Sequence, residues 1–419
     1  MKSPFVALLI AGSLGSSLAC TKSPSIVPLP TERVIEYRSG RWFDGTSFAE
    51  RSMYVVGSVF RERRPSRVDS VVNLDGRFVV PPFGDAHQHL FDPSRASAFV
   101  ARQVHDGIFY IKEQSSAPFA RRIAEGALNA PVGVDLISAN QGWTSTGGHP
   151  VEVIQRGAQM PGPAGAFVRD SLDPAIVMQV DSRADVDRRW AYFLAGKPRP
   201  DFVKVFLLYS EYYARLRADP RAFGNRGMDP SLVPYIVSLA HTAGLRVSAH
   251  VYTAADFRNA IEAGVDDIAH LPGGKGDSTP FLLTEADAAL AAQHHVTVAT
   301  TVVQHGDSTL TDRLMRDQYA HNINLLRSHG VSLLIGSDLA EGTAATEIAA
   351  LSRSGLFTSA ELLRLWSVTT PQTIFPGRRI GRLADGYEAS FLVLHDDPLT
   401  NIANTRSIVA RVKRGVPSN

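Results

Sequence analysis

The sequence contains a single cysteine, Cys20, so the chain can form no internal disulfide. An excess of charge of one sign is also missing, because 43 Lys and Arg face 41 Asp and Glu, a formal net charge of +2. This balance gives no electrostatic footprint for nucleic acid, and we expect no nucleic-acid partner. The 419 residues, 44% of them hydrophobic, instead suit one large folded domain with a smaller module.

Long apolar runs are scarce as well. Residues 5–14 are mostly apolar and follow Lys2, but they are too few to span a bilayer comfortably. Small residues at 15–19 then precede Cys20. A charged start, a short apolar core and a small-residue cleavage site are typical of a secretory signal.

This N-terminal segment resembles a bacterial lipoprotein signal, in which Cys20 would be lipidated. Ser17 departs from the pattern, since a larger aliphatic residue is usual at that place. The alternative is an ordinary signal peptide with an uninvolved cysteine. We expect export to the periplasm or cell envelope, with membrane contact only through a lipid anchor. Because Thr21 is not acidic, the outer membrane is our hypothesis for the anchored form.

The chain is predicted to have five parts. Residues 33–80 alternate short β-rich runs with the turn pairs Ser39-Gly40, Asp44-Gly45 and Asp75-Gly76, which is typical of hairpins, and the C-terminus returns to this style. The predicted parts are a signal peptide at 1–20, a Pro-, Ser- and Thr-rich tether at 21–32, a first β-sandwich part at 33–80, a hydrolase barrel at 81–377 and a second β-sandwich part at 378–419.

The middle of the chain alternates strand and helix patterns. The eight candidate strands are Gly84–His89, Gly107–Lys112, Gly133–Ser138, Phe202–Leu207, Arg246–His250, Asp267–His270, Val296–Val302 and Val331–Ser337. A closed parallel barrel requires this number. The predicted fold is therefore α/β: a (β/α)8 TIM barrel with a small β-sandwich built from the N- and C-terminal segments.

Metal-ligand residue types fall at the ends of these strands. His87 and His89 lie two apart on one strand, so both side chains project to the same face. Imidazole nitrogens are good ligands for zinc-like metals. Four more positions lie at or just after the carboxyl ends of later strands, where barrel enzymes place catalytic residues, namely Lys204, His250, His270 and Asp338.

Together these segments resemble the amidohydrolase superfamily over nearly all of the chain after the tether. The matching stretches are 79–90 (VVPPFGDAHQHL), 201–205 (DFVKV), 247–250 (VSAH), 260–270 (AIEAGVDDIAH), 334–338 (LIGSD) and 381–390 (GRLADGYEAS). Pro82 stands where glycine is common, a departure that touches no ligand. The resemblance implies a metal-dependent hydrolase acting on carbon–nitrogen bonds.

The resemblance also implies a binuclear site. One metal would be held by His87, His89 and Asp338, and the other by His250 and His270. A lysine ammonium has no lone pair for a metal, so Lys204 would carry a CO2-derived carbamate that bridges the two ions. A hydroxide between the metals would be the nucleophile, with Asp338 as its base and as the acid for the leaving group.

The residues by themselves leave the role of Lys204 and the identity of the metal open. Lys204 in a buried salt bridge of a one-metal enzyme is the alternative to the carbamate. We expect two divalent ions with zinc first, although these ligands also suit manganese, iron and cobalt.

Three residues are candidates for contacts with a small-molecule substrate. His149 lies in a TGGHP stretch at 146–150, which is similar to imidazolonepropionases and Xaa-Pro dipeptidases. Tyr209 and Arg226 lie in the long segment after Lys204, where a tyrosine or an arginine suits a substrate carboxylate. For each of them an ordinary loop role is the alternative.

The function predicted from the sequence is hydrolysis of an amide or peptide-like bond, with a prolidase-like dipeptidase as the most specific form. A cyclic amide or lactone hydrolase with the same centre is the first alternative. A catalytically silent, lipid-anchored binding protein and a structural envelope lipoprotein are further alternatives. The sequence leaves a homo-oligomer open.

Overall fold

The computed structural model describes residues 33–89, 95–128, 133–158, 175–275, 277–304, 313–339 and 341–418. The predicted signal peptide, the tether and the lipidation site Cys20 lie outside these ranges. Within them, no helix combines the length and the apolar character that a membrane span needs.

Strands from both ends of the chain pair in one eight-stranded sheet. They are β1 (Val34–Phe43), β2 (Phe48–Val56), β3 (Val59–Arg61), β4 (Ser70–Asn73), β5 (Phe78–Val80), β16 (Phe391–Leu394), β17 (Ile408–Lys413) and β18 (Val416–Pro417). Their order is β18-β17-β16-β5-β1-β2-β3, with β4 parallel to β1. The ends of the chain meet at β5, which pairs with β1 and β16. The β-sandwich itself stays a prediction.

One predicted turn is wrong. Strand β1 runs through Ser39-Gly40, where its register with β2 shifts between Tyr37 and Gly40, so the pair forms a β-bulge and not a hairpin turn. A Cβ on Gly40 would lie 2.6 Å from Cδ1 of Leu74, which explains the glycine. The hairpin comes at Asp44, whose carboxylate accepts hydrogen bonds from the backbone of the two residues before β2.

The middle of the chain forms two parallel sheets. A three-stranded sheet has the order β6-β7-β8, and a seven-stranded sheet has the order β10-β9-β11-β12-β13-β14-β15. These strands are β6 (Phe83–Gln88), β7 (Ile108–Glu113), β8 (Asp135–Ser138), β9 (Gly142–Thr144), β10 (Val177–Gln179), β11 (Phe202–Phe206), β12 (Arg246–His250), β13 (Asp267–Ile268), β14 (Thr297–Ala299) and β15 (Leu333–Leu334). All eight predicted strands have a counterpart, and β9 and β10 were not predicted.

Backbone hydrogen bonds also connect the edges of the two parallel sheets. The N–H of Ala86 in β6 donates to the carbonyl of Ile335, and the N–H of Asp338 donates to the carbonyl of His87, both at 2.8 Å. A third hydrogen bond connects the sheets near β8, where the N–H of Asp201, just before β11, donates to the carbonyl of Ser138 at 2.8 Å. Residues at the carboxyl ends of β6 and β15 therefore lie side by side.

Helices separate the parallel strands. They are α1 (Ala96–His105), α2 (Pro118–Ala124), α3 (Val151–Ala158), α4 (Arg183–Leu194), α5 (Tyr213–Ala218), α6 (Val233–Thr242), α7 (Ala254–Glu262), α8 (Glu285–Gln293), α9 (Arg313–Ser328), α10 (Ala344–Ser354), α11 (Ser359–Arg364) and α12 (Thr370–Ile374). Thr253 and Thr284 form capping boxes at α7 and α8. Short 3₁₀ turns, such as Pro230–Leu232 before α6, complete the connections.

Candidate metal centre

Four of the predicted metal ligands meet at the ends of β6, β13 and β15. Nε2 of His87 and Nε2 of His89 lie 3.5 and 3.2 Å from Oδ1 of Asp338, and 3.2 Å from each other. Nδ1 of His270 lies 3.7 Å from Oδ2 of Asp338. One ligand atom each from His87, His270 and Asp338 fall within 4.8 Å of one another, a spacing that suits one metal ion.

A buried carboxylate fixes the strands that carry these ligands. Asp85 accepts hydrogen bonds from the backbone N–H of His87 at 3.1 Å and of Ser337 at 3.0 Å, and from the Ser337 hydroxyl at 2.7 Å. Burial raises the pKa of Asp85 to about 6, although these hydrogen bonds oppose the shift. Asp338 itself has a positive φ of 51°, a sparsely populated conformation that is common near functional sites.

Backbone carbonyls orient the rings of His87 in β6 and of His89 directly after it. Nδ1 of His87 lies 2.8 Å from the carbonyl of Ala269, and Nδ1 of His89 lies 3.1 Å from the carbonyl of Ser115. A carbonyl can only accept, so each Nδ1 carries the hydrogen and each Nε2 is directed to Asp338. This pairing of a ring N–H with a carbonyl is usual behind metal-ligating histidines.

His250 lies beside this group. Its ring centroid is 4.5 Å from that of His270 and 4.8 Å from that of His149. Its Nε2 is buried and meets no hydrogen-bond partner in the part of the chain that the structure describes. Buried polar atoms are normally satisfied, so this nitrogen fits a metal ion. The donor set as a whole therefore suits the divalent metals implied by the sequence.

Lys204 is fully buried within β11. Its Nζ donates to Oε1 of Gln114 at 3.1 Å and lies 5.4 Å from the centre of the Phe206 ring. Burial lowers the pKa of Lys204 to about 7, so a large fraction of the amine is uncharged near neutral pH. An uncharged amine is the form that reacts with CO2, which is compatible with the carbamate implied by the resemblance.

The histidines differ in the direction of their pKa shifts. Burial lowers the pKa values of His87, His250 and His270 well below the usual range, so these rings keep a lone pair for a metal. Burial acts the same way on His89, but the hydrogen bond to Asp338 and its charge outweigh burial and raise the His89 pKa. Burial raises the pKa of Asp338, yet His89 and His270 hold it below normal.

The structure places His149 next to the centre. Its Nδ1 lies 2.6 Å from Oε1 of Glu152, and its ring is 5.6 Å from that of Phe206. Arg226 lies behind it, since the N–H of His149 donates to the carbonyl of Arg226 at 2.7 Å. The guanidinium of Arg226 donates to the carbonyl of Thr146 at 2.7 Å, so this arginine holds the loop that carries His149.

Tyr209 lies at the end of β11 in a left-handed conformation, with φ 53°. Its ring packs on that of Tyr252 at 5.1 Å between centroids. Asp256 fixes this loop, because its carboxylate accepts from the backbone N–H groups of Tyr209, Ser210, Tyr252 and Thr253. The carboxylate of Asp256 therefore holds both the loop after β11 and the loop after β12.

The sequence reasoning missed a buried polar group below the ligands. Gln114 contacts Lys204 and Ser248, and Asp267 accepts from Ser248 at 2.5 Å and from Lys112 at 2.6 Å. No local pattern marks this group, because Gln114 and Lys204 are 90 positions apart in the sequence.

Comparison with known proteins agrees with this architecture. The model of the Amidohydrolase family matches residues 223–416. Among curated proteins, ochratoxinase of Aspergillus niger is 26% identical over 186 residues, which cover 41% of this chain and 37% of that protein. The chain thus aligns with little more than a third of the length of this relative.

Solved structures are similar over a larger part of the chain. An amidohydrolase superposes with a TM-score of 0.70 and 20% identity, covering 92% of this chain and 98% of that one. A prolidase complexed with N-methylphosphonate-L-proline has a TM-score of 0.71 and 20% identity, covering 92% and 99%. The chain shares their fold, and its residues 223–416 match the Amidohydrolase family.

Proposed function

We propose that the protein is a metal-dependent hydrolase of a carbon–nitrogen bond in a small substrate. The observation that carries this proposal is the convergence of His87, His89, His270 and Asp338 on one point at the strand ends. The Amidohydrolase family domain supports the same reaction class.

Part of the proposal is that the two parallel sheets belong to one closed (β/α)8 barrel. The backbone hydrogen bonds from Ala86 to Ile335 and from Asp338 to His87 support a junction between β6 and β15. The backbone hydrogen bond from Asp201 to Ser138 supports a second junction between the two sheets, at β8. In such a barrel the carboxyl ends of the strands form the active-site mouth.

His87, His89 and Asp338 would hold one divalent ion, and His250 and His270 would hold a second. A carbamate on Lys204 would be shared between them. When bound, such ions polarise a carbonyl oxygen and lower the pKa of water towards neutrality. Zinc is the first candidate, with manganese, iron and cobalt as others.

The residues of the chain supply the proton transfers. Asp338 would accept a proton from the attacking water on a carboxylate oxygen and deliver it to the leaving nitrogen. His149 faces the ring of His250 and would donate a hydrogen bond to the substrate carbonyl. Glu152, at Nδ1 of His149, would hold that ring in place.

For the substrate, a linear dipeptide or N-acyl amino acid is the first candidate. The fold likeness to a prolidase and the similarity to ochratoxinase support this choice. Tyr209 and Arg226 would contribute to the wall of the pocket. Arg226 already serves two backbone carbonyls, so it would act on a carboxylate only through its remaining donors.

The anchoring proposal rests on the sequence alone. Cys20 would carry a lipid that holds the exported protein at the cell envelope, and the rest of the chain would contact no membrane. Palmitate labelling in cells tests this, since Cys20→Ala should abolish incorporation. Undiminished labelling of Cys20→Ala would rule the anchor out.

Activity is tested on the full chain in detergent after loading with zinc, manganese or cobalt. Xaa-Pro dipeptides, N-acyl amino acids, lactams and lactones form the substrate panel, and Asp338→Asn is the control. We expect hydrolysis of a linear amide, with kcat roughly 10²–10⁴-fold lower in Asp338→Asn. Preference for ring compounds would favour the cyclic-amide alternative. Metal-loaded protein that is inert on the whole panel would favour a binding protein.

A further inference from the structure

Gln114 lies just after β7 with its side chain against that of Lys204. The glutamine is 1% exposed and the lysine is fully buried. Oε1 of Gln114 lies 3.1 Å from Nζ of Lys204 and 3.1 Å from Oγ of Ser248. A neutral acceptor therefore faces the amine of Lys204.

The amide of Gln114 is held in this orientation. Its Nε2 donates to the carbonyl of Ala86 at 3.0 Å, and its backbone N–H donates to the carbonyl of Gln88 at 2.9 Å. A flipped amide would direct Oε1 at the carbonyl oxygen of Ala86, so that two acceptors face each other. It would also direct the NH2 group at the amine of Lys204, so that two donors face each other. The oxygen consequently stays on the side of Lys204.

The neighbouring polar groups have other partners, so that Oε1 of Gln114 accepts mainly from Lys204. The single hydroxyl hydrogen of Ser248 is drawn to Oδ1 of Asp267, which is only 2.5 Å away. Oδ2 of Asp267 in turn accepts from Nζ of Lys112 at 2.6 Å. Asp267 is thus occupied by Ser248 and Lys112, and Gln114 is the acceptor that directly meets the Lys204 amine.

We propose that Gln114 is the positioning residue for carboxylation of Lys204, an inference that rests on the carbamate in the proposed function. Nζ of Lys204 attacks the carbon of CO2, an N–C bond forms, one C–O π pair moves onto oxygen, and the nitrogen releases one proton to solvent. The carbamate nitrogen keeps a single hydrogen. That hydrogen donates to Oε1 of Gln114, which fixes the plane of the carbamate because the group is flat about its nitrogen.

The neutrality of Gln114 matters for this role. A carboxylate at this position would attract the lysine ammonium and repel the carbamate anion. Gln114→Glu has nearly the same shape and should hold Lys204 as the ammonium. Gln114→Met has a similar length and no acceptor, so it should weaken the carbamate without adding charge.

The experiment compares carbamate and metal in the full chain. The parent, Gln114→Glu, Gln114→Met and Lys204→Met are loaded with zinc in ¹³C-bicarbonate. The carbamate is read as the ¹³C carbonyl resonance that Lys204→Met lacks, and zinc is counted by elemental analysis. Gln372→Glu is the matched control, since its half-buried amide donates to the carbonyl of Ile380 at 3.0 Å. Thermal unfolding checks that each variant is folded.

We expect about fivefold less carbamate in Gln114→Met, the worth of one hydrogen bond. Gln114→Glu should lose about tenfold or more through charge repulsion. Raising CO2 should restore the signal in Gln114→Met, and Gln372→Glu should match the parent. The inference is overturned if both folded Gln114 variants keep the parent signal, or if neither folds, which would make Gln114 a structural residue.

Failure of the proposed function would give a different combination of carbamate signal and hydrolysis. If the parent gives no carbamate signal yet hydrolyses amides in an Asp338-dependent way, this inference and the carbamate fall while the hydrolase stands. If the parent carries the carbamate and hydrolyses nothing, the proposed activity falls and the role of Gln114 is judged from its variants alone.

Discussion

Nδ1 of His149 lies 2.6 Å from Oε1 of Glu152, three residues further along the chain. Glu152 lies in α3, and its other oxygen, Oε2, is buried without a hydrogen-bond partner among the described residues. A carboxylate at Nδ1 fixes the tautomer of the ring and directs Nε2 away from α3. The pair is therefore arranged to present one nitrogen of His149 to the neighbourhood of His250.

This pair predicts a graded loss of activity. If His149 binds the substrate carbonyl, His149→Ala should lower kcat/KM by roughly 10²-fold. Glu152→Gln keeps the shape but loses the charge, and about a tenfold loss is expected. His241→Ala is the control, since His241 forms a similar pair with Asp266 on the surface. Equal activity of His149→Ala and the control would mean that His149 is an ordinary loop residue.

Lys204→Ala tests the shared ligand. We expect about two metal ions per chain in the parent and clear loss in Lys204→Ala, because a bridging ligand serves both ions. Replacing Lys275, which is exposed, should leave the metal content unchanged. Elemental analysis after gel filtration gives the count. About one ion in both parent and Lys204→Ala would indicate a mononuclear site.

Glu347 predicts a pH dependence of stability. This carboxylate is fully buried, accepts from the N–H groups of Val302 and Val303, and burial raises its pKa from 4.5 to about 7. The folded state therefore holds a proton that the unfolded state has released between these values. The stabilising contribution is complete below about pH 4.5 and is lost as the pH rises through about 7.

Replacing this carboxyl by an amide should remove the effect. Thermal unfolding of metal-free protein from pH 5 to 8 should show the parent losing Tm relative to Glu347→Gln as the pH rises. Parallel curves for the two proteins would contradict the raised pKa.

Asp135 predicts a large effect on stability. This carboxylate in β8 is buried and accepts from Nζ of Lys413 at 2.7 Å, from Arg378 at 2.7 Å and from Arg414 at 2.8 Å. Asp135→Ala would leave the buried ammonium of Lys413 without this anion, at a cost of about 3–5 kcal/mol. Asp317→Ala, on the exposed face of α9, should change denaturant midpoints little. Similar denaturant midpoints for Asp135→Ala and Asp317→Ala would argue against a stabilising role for the ion pairs of Asp135.

Local chemistry explains which parts of the fold could be predicted from the sequence. The predicted strand Arg246–His250 coincides with β12, because the pattern that marks it lies within one short segment of the chain. The bulge at Ser39-Gly40 was read as a turn, since the partner strand and Leu74 that explain it are distant in sequence. Short strands such as β9 give too little periodicity to detect.

Some residues of the candidate site could also be predicted from the sequence, and others could not. His87 and His89 could be found because side chains two positions apart on a strand project to the same face, and the structure brings both to Asp338. Their role as ligands stays a prediction. Gln114 could not be found, because its importance arises only from contact with Lys204, 90 positions away. Neutral side chains that serve a site through another residue have no motif of their own.

The meeting of both chain ends at β5 has a consequence for biosynthesis. Phe391 in β16 packs its ring against Tyr37, Trp42 and Phe60, with centroids 5.0 to 5.7 Å apart. During translation, these three aromatic residues emerge long before Phe391 and stay exposed until it arrives. Truncated chains that end before β16 should therefore aggregate or recruit chaperones.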